Sequence, residues 1–230
     1  MGRWPWLCGA LLASLVGART AGAAACAPGT LQGYIDLGAT GCTAGAVLFA
    51  DFRLESGQSF ATPIDPTQVQ VTPTSTANAS ALLLTFSSSA AAGELFESFF
   101  HFDASASGLV AAVVALAGAS AAGDGVVTAT QDVCPDGSFL PGVPIGCPSA
   151  AASSITFVSD SGSLLADGAS FAGASFFDVF ADVAADGGLS GSAALGSVTL
   201  SFTAIPEPSM AALLATGLVF FARSRVRRQG

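Results

Sequence analysis

The stretch Val198-Thr199-Leu200-Ser201-Phe202-Thr203 alternates without interruption between apolar and polar residues. Successive side chains of a β-strand point to opposite faces of its sheet, so this period of two predicts a strand with one buried face. Val69 and Val71 repeat the pattern, each flanked by glutamine or threonine. Both segments therefore predict strands that bury one face and leave the other in water.

Two further stretches alternate in the same way. The sets predicted to be buried are Leu48, Ala50, Phe52 and Leu54 in the first stretch, and Phe177, Val179, Ala181 and Val183 in the second. The sets predicted to face water are Phe49, Asp51 and Arg53, and Asp178, Phe180 and Asp182. Each stretch predicts another half-buried strand.

Apolar runs at 82–86, 95–102, 126–130 and 155–158 bring the predicted strands to about eight. The run 109–116 suits a helix by its alanines and leucines and a strand by its valines. Glycine follows aspartate at four turn-like positions, namely Asp124-Gly125, Asp136-Gly137, Asp167-Gly168 and Asp186-Gly187. Many short strands with such turns predict an all-β fold, an antiparallel β-sandwich or jelly-roll-like body over residues 26–204.

Charge is scarce and unevenly placed, since only 10% of the 230 residues are charged. Six of the seven arginines lie in the first 19 or the last eight residues. Residues 26–205 contain one basic residue, Arg53, and fifteen acidic residues, which gives this body a net charge of about −14. A body without a basic surface cannot displace phosphate counterions, so nucleic acid is excluded as a partner.

The N-terminus is typical of a secretory signal peptide over residues 1–25. Arg3 precedes an apolar run at 7–18, and Ala-x-Ala cleavage sites follow that end at Ala23 or Ala25. About twelve apolar residues are too few to span roughly 30 Å of hydrocarbon, which argues against a membrane anchor. A lipoprotein signal before Cys26 is the alternative, although Ala23 stands where such signals usually have leucine.

The last 26 residues place three features in sequence. They are the tripeptide Pro206, Glu207 and Pro208, an uncharged apolar run at 210–222, and a basic end with Arg223, Arg225, Arg227 and Arg228. The two prolines end any preceding strand, and the apolar run predicts a short membrane helix that rises about 20 Å. Arginines after such a helix favour the cytoplasmic side of the membrane.

This tail resembles the PEP-CTERM sorting signal of Gram-negative bacteria that make exopolysaccharide. The resemblance covers residues 205–230, with Ile205 at a position where valine is commoner. It implies a precursor that is held in the inner membrane and recognised by a membrane-embedded exosortase, a cysteine transpeptidase-like enzyme. That enzyme would remove the tail, and the body would be released or attached at the cell surface. An ordinary tail anchor is the alternative.

Four cysteines remain after the predicted signal peptide: Cys26, Cys42, Cys134 and Cys147. An even number of cysteines in an exported chain predicts disulfides, and four cysteines allow three pairings. The sequence separations favour the local pairs Cys26–Cys42 and Cys134–Cys147. A structural zinc site is not predicted, because the chain has one histidine and no Cys-x-x-Cys motif.

No catalytic residue is predicted. The lone histidine, His101, is expected to be an ordinary strand residue, because no Gly-x-Ser-x-Gly motif accompanies it. Glu94 and Glu97 are expected to be solvated, and no carboxylate pair for glycoside hydrolysis stands out. The sequence therefore predicts no enzyme, with a secreted hydrolase as the weakest alternative.

The favoured hypothesis is an exported envelope or extracellular-matrix protein that uses no cofactor and meets the export machinery, the exosortase and the inner membrane. A carbohydrate-binding module is the second hypothesis, with Phe49 and Phe180 as an exposed platform for exopolysaccharide. Calcium binding is a further alternative, since Asp124-Gly125 and Asp136-Gly137 are compatible with oxygen ligation from turns.

Overall fold

The computed structural model describes residues 23–55 and 61–205. The predicted signal peptide up to residue 22 and the predicted sorting tail from residue 206 lie outside this part of the chain. Within the two described ranges, no helix has the length and apolarity that a membrane crossing requires.

The regular elements of the described residues are almost all strands. The first eight strands are β1 (Ala24–Ala25), β2 (Gly29–Thr30), β3 (Cys42–Ala44), β4 (Val47–Glu55), β5 (Thr62–Pro63), β6 (Gln70–Ser75), β7 (Ala79–Thr85) and β8 (Ser89–Ala90). The others are β9 (Leu95–Ala117), β10 (Ser120–Ala122), β11 (Val126–Pro135), β12 (Ala152–Ser159), β13 (Gly162–Leu164), β14 (Ala166–Asp186), β15 (Ser192–Ala194) and β16 (Ser197–Ala204). A five-residue helix, α1 (Leu31–Ile35), and a 3-10 helix at Gly38–Thr40 separate β2 from β3.

The prediction of an all-β body is therefore confirmed. The ambiguous run 109–116 is strand, because it lies inside β9 with β14 on one edge and β16 on the other. The alternation of β16 also holds, since Val198, Leu200 and Phe202 are fully buried while the residues between them are partly exposed.

Most strands belong to one large, mainly antiparallel sheet. Its main path runs β13-β12-β11-β14-β9-β16-β7-β6-β2, and β4 branches from β9 to carry β3 and β1. Strand β5 adds to β9 in parallel, and β1 adds to β3 in parallel. A separate small sheet has the order β10-β15-β8.

The two longest strands, β9 and β14, pair with each other along most of their length, and the two parts of β9 have different second partners. The first part of β9, residues 95–105, pairs with the end of β14 and with β4. Its second part, residues 109–117, pairs with the start of β14 and with β16. Gly108 lies between the two parts with a φ of 67°, a left-handed conformation that suits glycine.

Aromatic rings from β4, β9, β14 and β16 pack together in one core, which makes the fold sandwich-like. The ring of Phe202 in β16 lies 5.7 Å from Phe49, 5.9 Å from Phe102 and 6.3 Å from Phe177, centroid to centroid. All four side chains are completely buried. Truncation of such a ring to alanine typically costs about 3–5 kcal/mol of stability.

The predicted faces of β4 are wrong at Phe49. This ring was expected to face water, but it is completely buried, while Leu54 of the predicted buried set is 43% exposed. The register of β4 against β9 shifts between Ala50 and Arg53, where Asp51 has a φ of 52°. Because a one-residue shift exchanges the two faces of a strand, the alternation does not continue through the shift.

The predicted water-facing side of β14 is wrong as well. Asp178 and Phe180 are only 1% and 3% exposed. Phe180 packs with Cys134 of β11 and with Phe139 in a second small cluster, and Phe139 belongs to the segment between β11 and β12, which covers this face. Glu97 on neighbouring β9 was also expected to be solvated and is 4% exposed, whereas Glu94 is exposed as expected.

Candidate functional site

Both disulfides link the cysteines that lie closest in sequence. Cys26 bonds to Cys42 across 16 residues and Cys134 bonds to Cys147 across 13 residues. The Cα atoms of the two pairs are 4.8 and 5.6 Å apart, within the usual range for a disulfide. The first bond fixes the N-terminal strand to β3. The second closes the segment that covers β14, which we call the cover loop, residues 135–147.

A buried polar cluster lies beneath the cover loop. The His101 side chain has no exposed surface, and its Nε2 atom bonds to Asp178 Oδ1. The second oxygen of Asp178 accepts the backbone N–H of Phe139, over 2.7 Å. The rings of Phe139 and Phe180 lie 6.4 and 5.8 Å from the imidazole. Asp178 therefore connects the sheet to the cover loop.

The other side of the imidazole faces β4. Arg53 Nη2 lies 2.7 Å from His101 Nδ1, and Arg53 Nε donates to Glu55 Oε1 over 3.2 Å. Glu55 Oε1 is also 3.4 Å from His101 Nδ1. A guanidinium only donates and a carboxylate only accepts, so the Arg53 and Glu55 contacts make opposite demands on Nδ1. The cluster is a continuous chain of polar contacts from half-exposed Arg53 to Phe139.

Asp103 adds a carboxyl group to this cluster. It lies opposite Asp178 in the ladder between β9 and β14. Burial is the largest cause that raises its pKa to about 6, and the negative charges of Asp178 and Asp51 raise it further. Arg53 and His101 oppose this shift. Asp103 therefore titrates much closer to neutral pH than an exposed aspartate.

Three more carboxyl groups lie on the same face of the sheet, along a diagonal across β9, β14 and β11. They are Glu97, Asp182 and Asp132. The pKa of Asp182 is raised to about 7, first by burial and then by the negative charges of Glu97 and Asp132. Burial also raises the pKa of Asp132. Within residues 23–55 and 61–205, however, no three side chains of His, Cys, Asp or Glu converge as metal ligands.

The two aspartates considered for calcium instead connect backbone segments. Asp124 accepts the N–H groups of Leu189 and Ser190 over 2.9 and 3.0 Å. Asp136 Oδ1 accepts from the backbone N and the Oγ of Ser175, over 2.8 and 3.0 Å. These bonds lower the pKa of both carboxyl groups, so they hold their loops as ionised acceptors.

The proposed sugar platform is wrong, because Phe49 is completely buried and Phe180 is 3% exposed. Neither ring can stack on a sugar. At the N-terminus, Ala23 precedes β1 and Ala25 lies within it, paired with Thr43. The motif residues Pro206, Glu207 and Pro208 and the basic residues Arg223, Arg225, Arg227 and Arg228 lie outside the described residues.

The polar cluster itself was missed by sequence reasoning, which found His101 but none of its partners. Asp178 and Arg53 are 77 and 48 residues away from His101 in the chain. One signal was present, since His101, Asp178 and Arg53 each interrupt an apolar strand. No family model matches the chain, and no curated protein or solved structure matches it either.

Proposed function

We propose that the chain is an exported, non-enzymatic protein of the cell envelope or extracellular matrix, sorted at its C-terminus by an exosortase. The observation that carries this proposal is the junction between body and tail. Strand β16 ends at Ala204, Ile205 is 59% exposed, and the Pro-Glu-Pro motif begins at the next residue. A protease that acts at this motif would find its substrate directly beyond the last strand.

The disulfides support export. Both pairs close short loops in the body, and disulfides persist in oxidising compartments outside the cytoplasm. The body's charge of about −14 is consistent with a domain that stays soluble after the two apolar ends are removed. The buried cluster around His101 supports a structural role for these side chains, because it connects the cover loop to the sheet and has no exposed imidazole surface.

On this proposal, the precursor meets the export machinery and is held transiently in the inner membrane by residues 210–222. The exosortase then cuts near Pro206, Glu207 and Pro208, and the body reaches the surface or the medium, where exopolysaccharide is a neighbour. The body is a structural component there and needs no cofactor.

The test is intact-mass analysis of the protein from its native host, with and without the exosortase. We expect the extracellular protein to lack the residues before Ala24 or Cys26 and all four C-terminal arginines. Without the exosortase, the tail should be retained and the protein should stay with the membrane. Glu207→Ala should reduce processing, whereas Asp160→Ala, at an exposed turn, should not. An extracellular species that keeps Arg223–Arg228 would overturn the proposal.

A further inference from the structure

An open cleft of about 530 Å³ separates the middle of β14 from the segment that leads into β12. Residues 171–174 of β14 form one wall, and residues 148–150 form the other. Pro135 and Asp136, at the start of the cover loop, close one end. The cleft thus lies between two stretches of extended or irregular backbone and not between helices.

The β14 wall has backbone that the sheet does not use. The ladder between β14 and β9 is interrupted between Ser170 and Ala174, so Phe171, Ala172 and Gly173 have no partner in it. Strand β11 begins to pair with β14 only at Phe177. The interruption toward β9 is a bulge; on the opposite side, where β11 has not yet begun to pair, residues 171–173 have no ladder partner, and such a strand edge is a template for another strand.

The shape of this edge is fixed in advance. Asp136 has a φ of 49°, a strained conformation for a residue other than glycine, and its carboxylate holds Ser175 and Phe176 just beyond the interruption. A Cβ at Gly137 would lie 2.6 Å from Pro148 Cγ, so the start of the cover loop is in close contact with the residue that follows the loop. The disulfide Cys134–Cys147 holds them together. Such preorganisation lowers the entropic cost of binding.

The side chains of the cleft are small except for one ring. Ala150, Ala172 and Gly173 leave room, and Phe171 is half-buried with its ring 4.6 Å from Phe177. A branched apolar side chain of an incoming strand would fit against this fixed ring.

The charge around the cleft selects the partner. Asp136 is exposed, and its Oδ1 accepts the backbone N–H groups of Ser175 and Phe176, which fixes the carboxylate at the end of the cleft. Asp167 lies at the start of the same strand and belongs to a body of about −14. Anionic peptides and anionic polysaccharides would be repelled, whereas a basic residue would be attracted.

We propose that this cleft accepts an extended segment of a partner protein by strand addition at Phe171–Gly173, with an apolar residue against Phe171 and a basic residue beside Asp136. Backbone hydrogen bonds to the unpaired edge supply the binding, and the two side-chain contacts supply the selectivity. This inference does not depend on the sorting of the tail, because it concerns only described residues.

The probe is a short fluorescent peptide of alternating valine and threonine with one lysine, titrated into the full-length oxidised chain. We expect saturable binding with amide shifts at residues 171–173 in NMR spectra. Replacing the peptide's lysine by glutamate should weaken binding, and a central proline should abolish it. Asp136→Asn should weaken binding of the lysine peptide about two- to fivefold, as expected for an exposed charge pair.

Asp160→Asn is the matched control, because it removes one exposed aspartate that does not line the cleft, and it should bind like the wild type. The peptide variants use the unaltered protein, so the test stands even if Asp136→Asn does not fold. Equal binding of the lysine, glutamate and proline peptides would overturn the proposal. The proposal would also be overturned if the peptide shifted amide signals elsewhere but not those of residues 171–173, or if no binding occurred at millimolar peptide.

Discussion

Gln131 is the residue whose burial is hardest to reconcile with its chemistry. It is 1% exposed in β11, and neither its amide nitrogen nor its amide oxygen has a hydrogen-bond partner in the described part of the protein. Its neighbours on the inner face of this strand are Ala129 and Val133, which are apolar and buried. A buried amide without partners destabilises the folded state by about 1–3 kcal/mol.

Replacing Gln131 by methionine, which has a similar length and no polar group to satisfy, should therefore raise the free energy of unfolding by about 1–3 kcal/mol. Urea denaturation monitored by circular dichroism measures this change. Gln70→Met, at an exposed position of β6, is the matched control and should change little. A destabilised Gln131→Met protein would show that the amide is satisfied in the folded state.

Asp178 has the opposite character, because its carboxylate is buried and fully engaged by His101 and Phe139. Asp178→Ala should lower the free energy of unfolding by about 3–5 kcal/mol, since it leaves His101 without its buried partner. It should also release the cover loop, which limited proteolysis within residues 140–146 would detect. Asp160→Ala, in an exposed turn, should do neither, and a stable Asp178→Ala protein with a protected loop would contradict the assignment.

Asp182 and Asp103 predict a distinct pH dependence of stability. Their folded-state pKa values, about 7 and about 6, lie above the ordinary value of 3.8 for aspartate. The folded state therefore binds protons more tightly, so their contribution is fully present below about pH 4 and is lost as the pH rises through 6 and 7. Asp182→Asn should stabilise the protein more at pH 8 than at pH 5. The prediction is wrong if the free energy of unfolding changes equally with pH in the wild type and in Asp182→Asn.

At the level of elements, the cover loop depends on its disulfide. Chain-entropy estimates give about 3 kcal/mol for a loop of this length, so replacing both Cys134 and Cys147 by alanine should destabilise the protein by about that amount. The same variant should speed hydrogen exchange of the Phe139 amide, because this amide is held by Asp178 only while the loop is closed. Unchanged exchange at Phe139 would mean that the loop folds without its covalent link.

The strands also show where a sequence pattern is sufficient. In β16 the alternation predicts the buried face correctly, because the strand pairs without interruption with β7 and over most of its length with β9. In β4 the pattern fails, because the left-handed Asp51 and the register shift beside it depend on the partner strand. No single-sequence signal distinguishes such an aspartate from an ordinary one.

In β14 the predicted water-facing side is wrong for a different reason. Its outward residues, Asp178 and Phe180, alternate as a water-facing set would, yet both are buried beneath Phe139. The loop that covers them is closed by a disulfide whose position was predicted from spacing. What the spacing could not predict is where the loop lies against the sheet.

At the level of the whole molecule, local features were predictable and contacts between distant residues were not. The all-β class and the two short disulfide loops follow from patterns within about 16 residues. The cluster around His101 joins β4, β9, β14 and the cover loop, whose partners lie up to 77 residues apart. Such long-range contacts depend on sheet order, and the order cannot be deduced from alternation in single strands.

The place of β16 between two partners has a mechanical consequence. This strand is the last described element, and it is paired with β7 over Ser197–Thr203 and with β9 over Ser197–Ala204. A pull applied through Ile205 would act along the strand, in shear, and would load both ladders together. The bonds would have to break as a group and not one after another, so a body tethered by this end would resist flow and tension well.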